Sequence, residues 1–330
     1  MHKISDISML LNMSRIDDAD LSGLDLRDKK DWFSSTPQLQ LEVMEDFRDF
    51  NRNGGDLKAL MSKAYEAFDR IPVKGWTDNV IWPAPGRMPE GFDPRKILEE
   101  AKAPSLGVAE LHKKGITGRG VSIAIIDARL NREHPDYRDS IAYYGQIGNS
   151  WAGSGPDYHG SLVVGNAMGK TTGVAPDAKV YYFAAESKLL DKGRKTTDSA
   201  SRNRAIADII RLNGTLSEDR KIRFLSCSWG TPEDLHADER DALFHKAEDE
   251  GIMVIGGFYD MKMTGIAYNP FDISNPRPPP RNLVRGKDFL VPTDGKTTPF
   301  YKGGYVYERL GGSSSTFPYL AGVFALALQA

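Results

Sequence analysis

The stretch GRGVSIAIID, residues 118–127, decides the fold. Its centre, 121–126, is a β-branched run that stops at the carboxylate of Asp127. A strand with one wet face alternates apolar and polar residues, whereas a strand covered on both faces reads as a continuous apolar run. Similar runs recur at 180–183, Ile222–Cys227 and 252–255, and helical patterns stand between them at 205–212 and 239–249. Buried strands separated by helices predict an α/β fold from about residue 105 onward, a parallel sheet with helices on both faces. Asp127 then falls at the carboxyl end of a buried strand, where open α/β sheets place their sites.

Upstream of this stretch the pattern changes. Thr36-Pro37 has the form of an N-cap followed by proline at the first helical position, and Leu39, Val43, Met44, Phe47 and Phe50 follow at helical spacing. Asn53-Gly54-Gly55 interrupts them, and Asp56 can cap a second helix with Leu57, Leu60, Met61, Ala64, Phe68 and Ile71 on one face. Residues 72–94 carry Pro72, Pro83, Pro85, Pro89 and Pro94 with Trp76 and Trp82, a linker or an extended arm laid across a surface. A short helix is expected over 94–103. The chain thus divides into a small helical N-terminal extension, 1–104, with a proline-rich arm (72–94), and an α/β domain, 105–330.

The bulk numbers fit a globular protein: 330 residues, 40% hydrophobic and 27% charged. The one cysteine, Cys227, rules out an intrachain disulfide framework. A net charge of −2 gives no electrostatic footprint for nucleic acid or an anionic membrane. The first residues, MHKISDISMLLNMSRIDDADLSG, lack a signal-peptide pattern, and no run reaches the roughly 18 apolar residues of a membrane span. These features predict a soluble, cytoplasmic protein with neither nucleic-acid nor membrane partner.

Three motifs carry chemistry. The first is Asp127 at its strand end, followed by His134-Pro135-Asp136. The second is His159-Gly160-Ser161, leading to Gly165 and then Gly173-Val174-Ala175-Pro176. The third is Gly312-Ser313-Ser314-Ser315-Thr316-Phe317-Pro318, a small-residue turn opening an apolar helix. A serine there faces the backbone N–H groups and positive dipole end of the helix, which suits a developing oxyanion. Taken singly, each has a plain structural reading as a turn aspartate, a surface histidine or a helix cap. The histidines form no metal-ligand cluster, no G-x-S-x-G elbow occurs, and Gly118-x-Gly120 precedes its strand where a dinucleotide fingerprint follows one.

Taken together, the three motifs resemble the subtilase family in identity, flanks and order, over roughly residues 105–330. The resemblance implies a subtilisin-like serine endopeptidase using Asp127, His159 and Ser314 through an acyl-enzyme. It further implies a peptide or protein substrate and no cofactor or metal, since the short loop between His159 and Gly173 lacks the calcium-binding insertion of many members. Ser226, Cys227, Ser228, Trp229 and Gly230 match the segment on which the substrate pairs as an added strand. Gly256, Gly257, Phe258 and Tyr259 fall at the floor of the specificity pocket, where the family has small residues. Asp260 aligns with the family's oxyanion asparagine, and Asn269 is a substitute donor. An ionised carboxylate has no proton to donate, so Asp260, Phe258 and Tyr259 favour the alternative of a catalytically impaired pseudopeptidase that binds or regulates. The N-terminal extension is expected to act on the α/β domain intramolecularly.

Overall fold

The computed structural model describes residues 39–41, 73–79, 93–104, 106–148, 155–185, 188–189, 197–229, 234–256, 263–269, 272–277, 289–292, 295–308 and 313–330. Of these, 39–41, 73–75, 188–189, 197–198, 263–269, 272–277, 289–292 and Ser313 are described by backbone alone.

The central sheet consists of β3 (Ser122–Asp127), β4 (Ile141–Gln146), β5 (Lys179–Ala184), β8 (Ile222–Cys227) and β9 (Met253–Gly256). Its order is β4-β5-β3-β8-β9, and every pairing in it is parallel. Ile123, Ile125 and Ile126 of β3 are fully buried, and each such side chain contributes about 1.5–3 kcal/mol. Successive side chains point to opposite faces. Ile123 and Ile125 join one core, with Leu162, Val163 and Met168 from helix α3 (Tyr158–Met168) and Leu320 and Leu326 from α6 (Ser313–Gln329). Ala124 and Ile126 join the other, with Ile206 and Ile209 from α4 (Ala200–Thr215) and Phe244 from α5 (Ala237–Asp249). The result is three layers, as the continuous apolar runs predict.

Two close contacts lock this arrangement at its ends. Gln329 Oε1 accepts from the backbone N–H groups of Thr117 (2.7 Å), Gly118 (2.6 Å) and Arg119 (3.1 Å), so α6 anchors the turn that enters β3. A Cβ on Gly165 of α3 would lie 2.2 Å from Pro299 Cδ. Glycine there lets α3 press against β13 (Lys296–Pro299), the first strand of a hairpin with β14 (Tyr305–Glu308).

That hairpin belongs to a second, antiparallel sheet of order β1-β2-β14-β13, where β1 is Leu39–Leu41 and β2 is Val73–Thr77. Part of the proline-rich arm is therefore a strand. Leu39–Leu41, expected as the start of a helix, is extended and pairs antiparallel with β2. The open edge of β2 offers backbone partners, and such tertiary pairing overrides a weak local preference for helix. The remaining residues of the expected helical hairpin lie outside those described. Helix α1 (Pro94–Glu100) follows the arm, with Asp93 as N-cap accepting from Arg95 N (3.1 Å) and Lys96 N (3.0 Å). Helix α2 (Val108–Lys113), the short hairpin of β6 (Lys188–Leu189) with β7 (Thr197–Asp198), and a small sheet of β10 (Met263–Asn269), β11 (Asp272–Arg277) and β12 (Phe289–Pro292) complete the described elements. Among the described residues no helix is long and apolar enough to cross a membrane.

Candidate active site

Asp127 closes β3 and is 2% exposed. Its Oδ1 accepts from Ala128 N at 2.7 Å and from His159 Nδ1 at 2.6 Å. His159 sits in the first turn of α3, where the N-cap Asp157 accepts its backbone N–H at 2.7 Å. Gly160 makes this approach sterically feasible. A Cβ there would lie 2.6 Å from Tyr182 Oη and 2.9 Å from the Ala128 carbonyl. The Tyr182 hydroxyl donates to that same carbonyl, fixing the loop after Asp127.

Burial disfavours the charged imidazole of His159. The negative charge of Asp127 and its hydrogen bond favour that form, Asp157 adds to them, and Arg202 opposes. The favourable interactions prevail, so His159 holds its proton above the usual histidine range.

Ser314 lies in the first turn of α6 and is half-buried. It is tied to the residue just beyond β8: Ser228 Oγ donates to the Ser314 carbonyl at 2.9 Å, and Ser314 Oγ reaches the Ser228 carbonyl at 3.4 Å. Because β8 is the neighbour of β3, with Cys227 opposite Ile126, Ser314 and Asp127 sit at the carboxyl ends of adjacent strands. Trp229 reinforces this end of the sheet by donating Nε1–H to the Ile126 carbonyl at 3.0 Å. Ser314 Oγ turns to Ser228, and no hydrogen bond joins it to His159 among the described residues. Nucleophile–base contacts are often loose in a protein without bound substrate.

The candidate substrate-binding residues separate into three groups. Ser226 and Cys227 are fully buried inside β8, paired to β3 on one side and β9 on the other. With both edges occupied they offer no backbone to a substrate strand, which narrows the expected pairing segment to the residues after the strand. Ser228 and Trp229 follow at that point with their side chains buried, and Gly256 ends β9 with φ +102°, where a Cβ would lie 2.2 Å from the Cys227 carbonyl. Gly230, Gly257, Phe258, Tyr259 and Asp260 lie outside the described residues, and Asn269 is the last residue of β10.

One group escaped the sequence reading. Glu308 ends β14, and burial pushes its carboxyl up to about 7, while the nearby His159 pulls it back. It belongs to no motif, and only the folded hairpin brings it to the histidine. Among the described residues no group of histidine, cysteine and carboxylate side chains could hold a metal ion.

Residues 118–256 match the model of the subtilase family, so this segment, which contains Asp127 and His159 but ends before Ser314, is subtilase-like sequence and the chain resembles that family. Among individual proteins, the subtilisin-like protease PopC of Myxococcus xanthus is 31% identical over 85 residues, covering 23% of this chain and 18% of that protein. The match therefore spans less than a fifth of this curated relative. Among solved structures, the prenylagaramide maturation protease PagA aligns with TM-score 0.48 and 17% identity over 68% of this chain and 80% of that one. A cold-adapted subtilisin-like serine proteinase aligns with TM-score 0.42 and 20% identity over 64% and 77% of the two chains.

Proposed function

We propose that this chain is a serine endopeptidase that cleaves peptide bonds through an acyl-enzyme, with Ser314 as nucleophile, His159 as general base and acid, and Asp127 as the group that orients the imidazole. The observation that carries this reading is the 2.6 Å bond from His159 Nδ1 to Asp127 at the carboxyl end of the parallel sheet. The bond fixes the proton on Nδ1 and leaves Nε2 free to accept one. Ser314 attacks the carbonyl, His159 takes its proton and returns it to the leaving amine, and the imidazolium formed between is stabilised by the Asp127 carboxylate. An extended peptide would pair beside residues 228–230. The subtilase match of residues 118–256 supports the same chemistry. The domain would take peptide or protein substrates, and its reach would extend N-terminally to the strand at Val73–Thr77.

The test is covalent labelling by a fluorophosphonate probe, followed by mass mapping of the adduct. Its pH dependence carries a sign. His159 accepts the serine proton only when neutral, and its folded proton affinity exceeds that of a free histidine, whose pKa is about 6.5. Labelling is therefore slow in acid and rises with pH, with its midpoint above about 6.5. A midpoint below that value would contradict the Asp127–His159 pair as described.

Asp260 is proposed to limit the rate. At the oxyanion position an ionised carboxylate repels the tetrahedral intermediate, and loss of one donor costs about 10²–10³ in rate, a figure that itself comes from a subtilisin. Asp260→Asn restores the donor at nearly constant volume and is expected to raise turnover by about 10-fold or more. The gain should be largest at high pH, where Asp260 is most ionised. Unchanged turnover across the pH range would remove Asp260 from the mechanism and leave Asn269 or a backbone amide as donor.

A further inference from the structure

The strand that leads into Ser314 is held by the N-terminal segment. β14 pairs along one edge with β2, in the register Val306 with Thr77, Tyr307 with Trp76 and Glu308 with Gly75. Trp76 is 4% exposed, its ring lies 4.4 Å from that of Tyr307, and its Nε1–H donates to the Pro94 carbonyl at 3.0 Å. Asp78 closes the other end. Its backbone N–H donates to the Tyr305 carbonyl at 3.0 Å, and its Oδ2 accepts the Tyr305 N–H at 2.9 Å. Helix α1 and the residues after it complete the grip: Thr297 of β13 donates its N–H to the Ala101 carbonyl at 3.0 Å, and Lys102 Nζ lies 3.9 Å from the centre of the Tyr305 ring.

This grip bears on both halves of the site. The last residue of β14, Glu308, is close enough to His159 for their charges to be felt, and α6 begins at Ser313, five residues further along the chain. The opposite face of the hairpin rests on α3 through Gly165 and Pro299. A loosened β14 would thus move the nucleophile and the surroundings of the base together.

We propose that the strand 73–77 with Asp78, together with residues 93–103, is a permanent brace, in which Trp76 and Asp78 are positioning residues that hold β14 and, through it, the first turn of α6. The catalytic part of this inference rests on Ser314 being the nucleophile, whereas the brace itself does not. On this reading the arm supports the reaction and does not block it, so disturbing it lowers activity.

The experiment compares Trp76→Ala, Trp76→Phe and Asp78→Ala with the unmodified full-length chain by amide hydrogen exchange and by probe labelling. In Trp76→Ala, exchange over 305–316 is expected to quicken by about 10-fold or more while β3 and β8 keep their protection. Labelling should slow by about 10-fold or more, with KM for a peptide substrate changing far less than kcat. Trp76→Phe keeps the ring contact and should retain most of both. Unchanged exchange over 305–316, or faster labelling in Trp76→Ala, overturns the brace. Should Trp76→Ala fail to fold, Asp78→Ala removes the side-chain bond to Tyr305 and a carboxylate charge felt by Lys102 and His134, keeps the backbone bond to the Tyr305 carbonyl, and is judged by the same two outcomes. If the unmodified chain takes no label, the peptidase reading fails, and the exchange comparison still decides the brace.

Discussion

Ser314→Ala is expected to abolish probe labelling and reduce turnover by about 10⁶, the size of loss seen when a subtilisin loses its serine. The fold should survive. Ser314 is half-buried, and among the described residues its hydroxyl makes only the long 3.4 Å contact with the Ser228 carbonyl. Its carbonyl, which accepts from Ser228 Oγ at 2.9 Å, is backbone and is kept by alanine. The neighbours make the outcome sharp. Ser315 and Thr316 are each 3% exposed, facing the core and unable to meet a substrate carbonyl. Undiminished labelling in Ser314→Ala, with the adduct mapped to Ser313, would move the nucleophile by one residue and break the proposed assignment. The measurement is label stoichiometry by intact mass, paired with a thermal melt to show that the variant is folded.

Asp127→Asn is the second large effect, a fall in kcat of about 10⁴. The amide can still accept the Ala128 N–H now bound at 2.7 Å, so the strand end keeps its shape. What it loses is the negative charge that stabilises imidazolium; and because both donors converge on Oδ1, an asparagine NH₂ turned toward Nδ1, which would draw the proton to the wrong nitrogen, also gives up the Ala128 bond. Without the carboxylate, only Asp157 is left to favour the charged imidazole against burial and Arg202, and the proton affinity of His159 falls. The acid limb of the pH profile should therefore move to lower pH even as the plateau drops. A loss smaller than about 10-fold, or a limb that stays in place, would show that the 2.6 Å bond has no catalytic weight.

Legibility in the sequence followed burial. β3, β5, β8 and β9 are covered on both faces, and their apolar runs identify them within a residue or two of the observed ends. β4 carries no such run. It lies at the edge of the sheet with Ala142, Tyr143 and Gln146 exposed, so its sequence IAYYGQ has no period to read. Asp127, His159 and Ser314 stand out as candidates because each sits at the boundary of an element that the sequence defines. The contacts around them were not. The tie between Ser228 and Ser314 joins residues with no pattern in common, and Glu308 comes within electrostatic range of His159 only through strand pairing. Trp76 reads as linker because prolines crowd the residues after it, yet its own backbone is free to pair, and pairing made it a strand.

The anchoring of β3 by α6 has a temporal side. Residues 122–127 are made well before α6, but one face of their sheet is covered by α6, and Gln329 secures the turn before them. Roughly 200 residues separate the two, a delay of roughly 10–40 s at translation rates of about 5–20 residues per second. Through that interval Ile123 and Ile125 lack the Leu320 and Leu326 side of their core, and parallel strands with so few local contacts are slow to settle and prone to aggregate. For the proposed chemistry the order is protective: base and orienting acid are translated before the nucleophile, so the nascent chain cannot cut itself or its neighbours until α6 has been made.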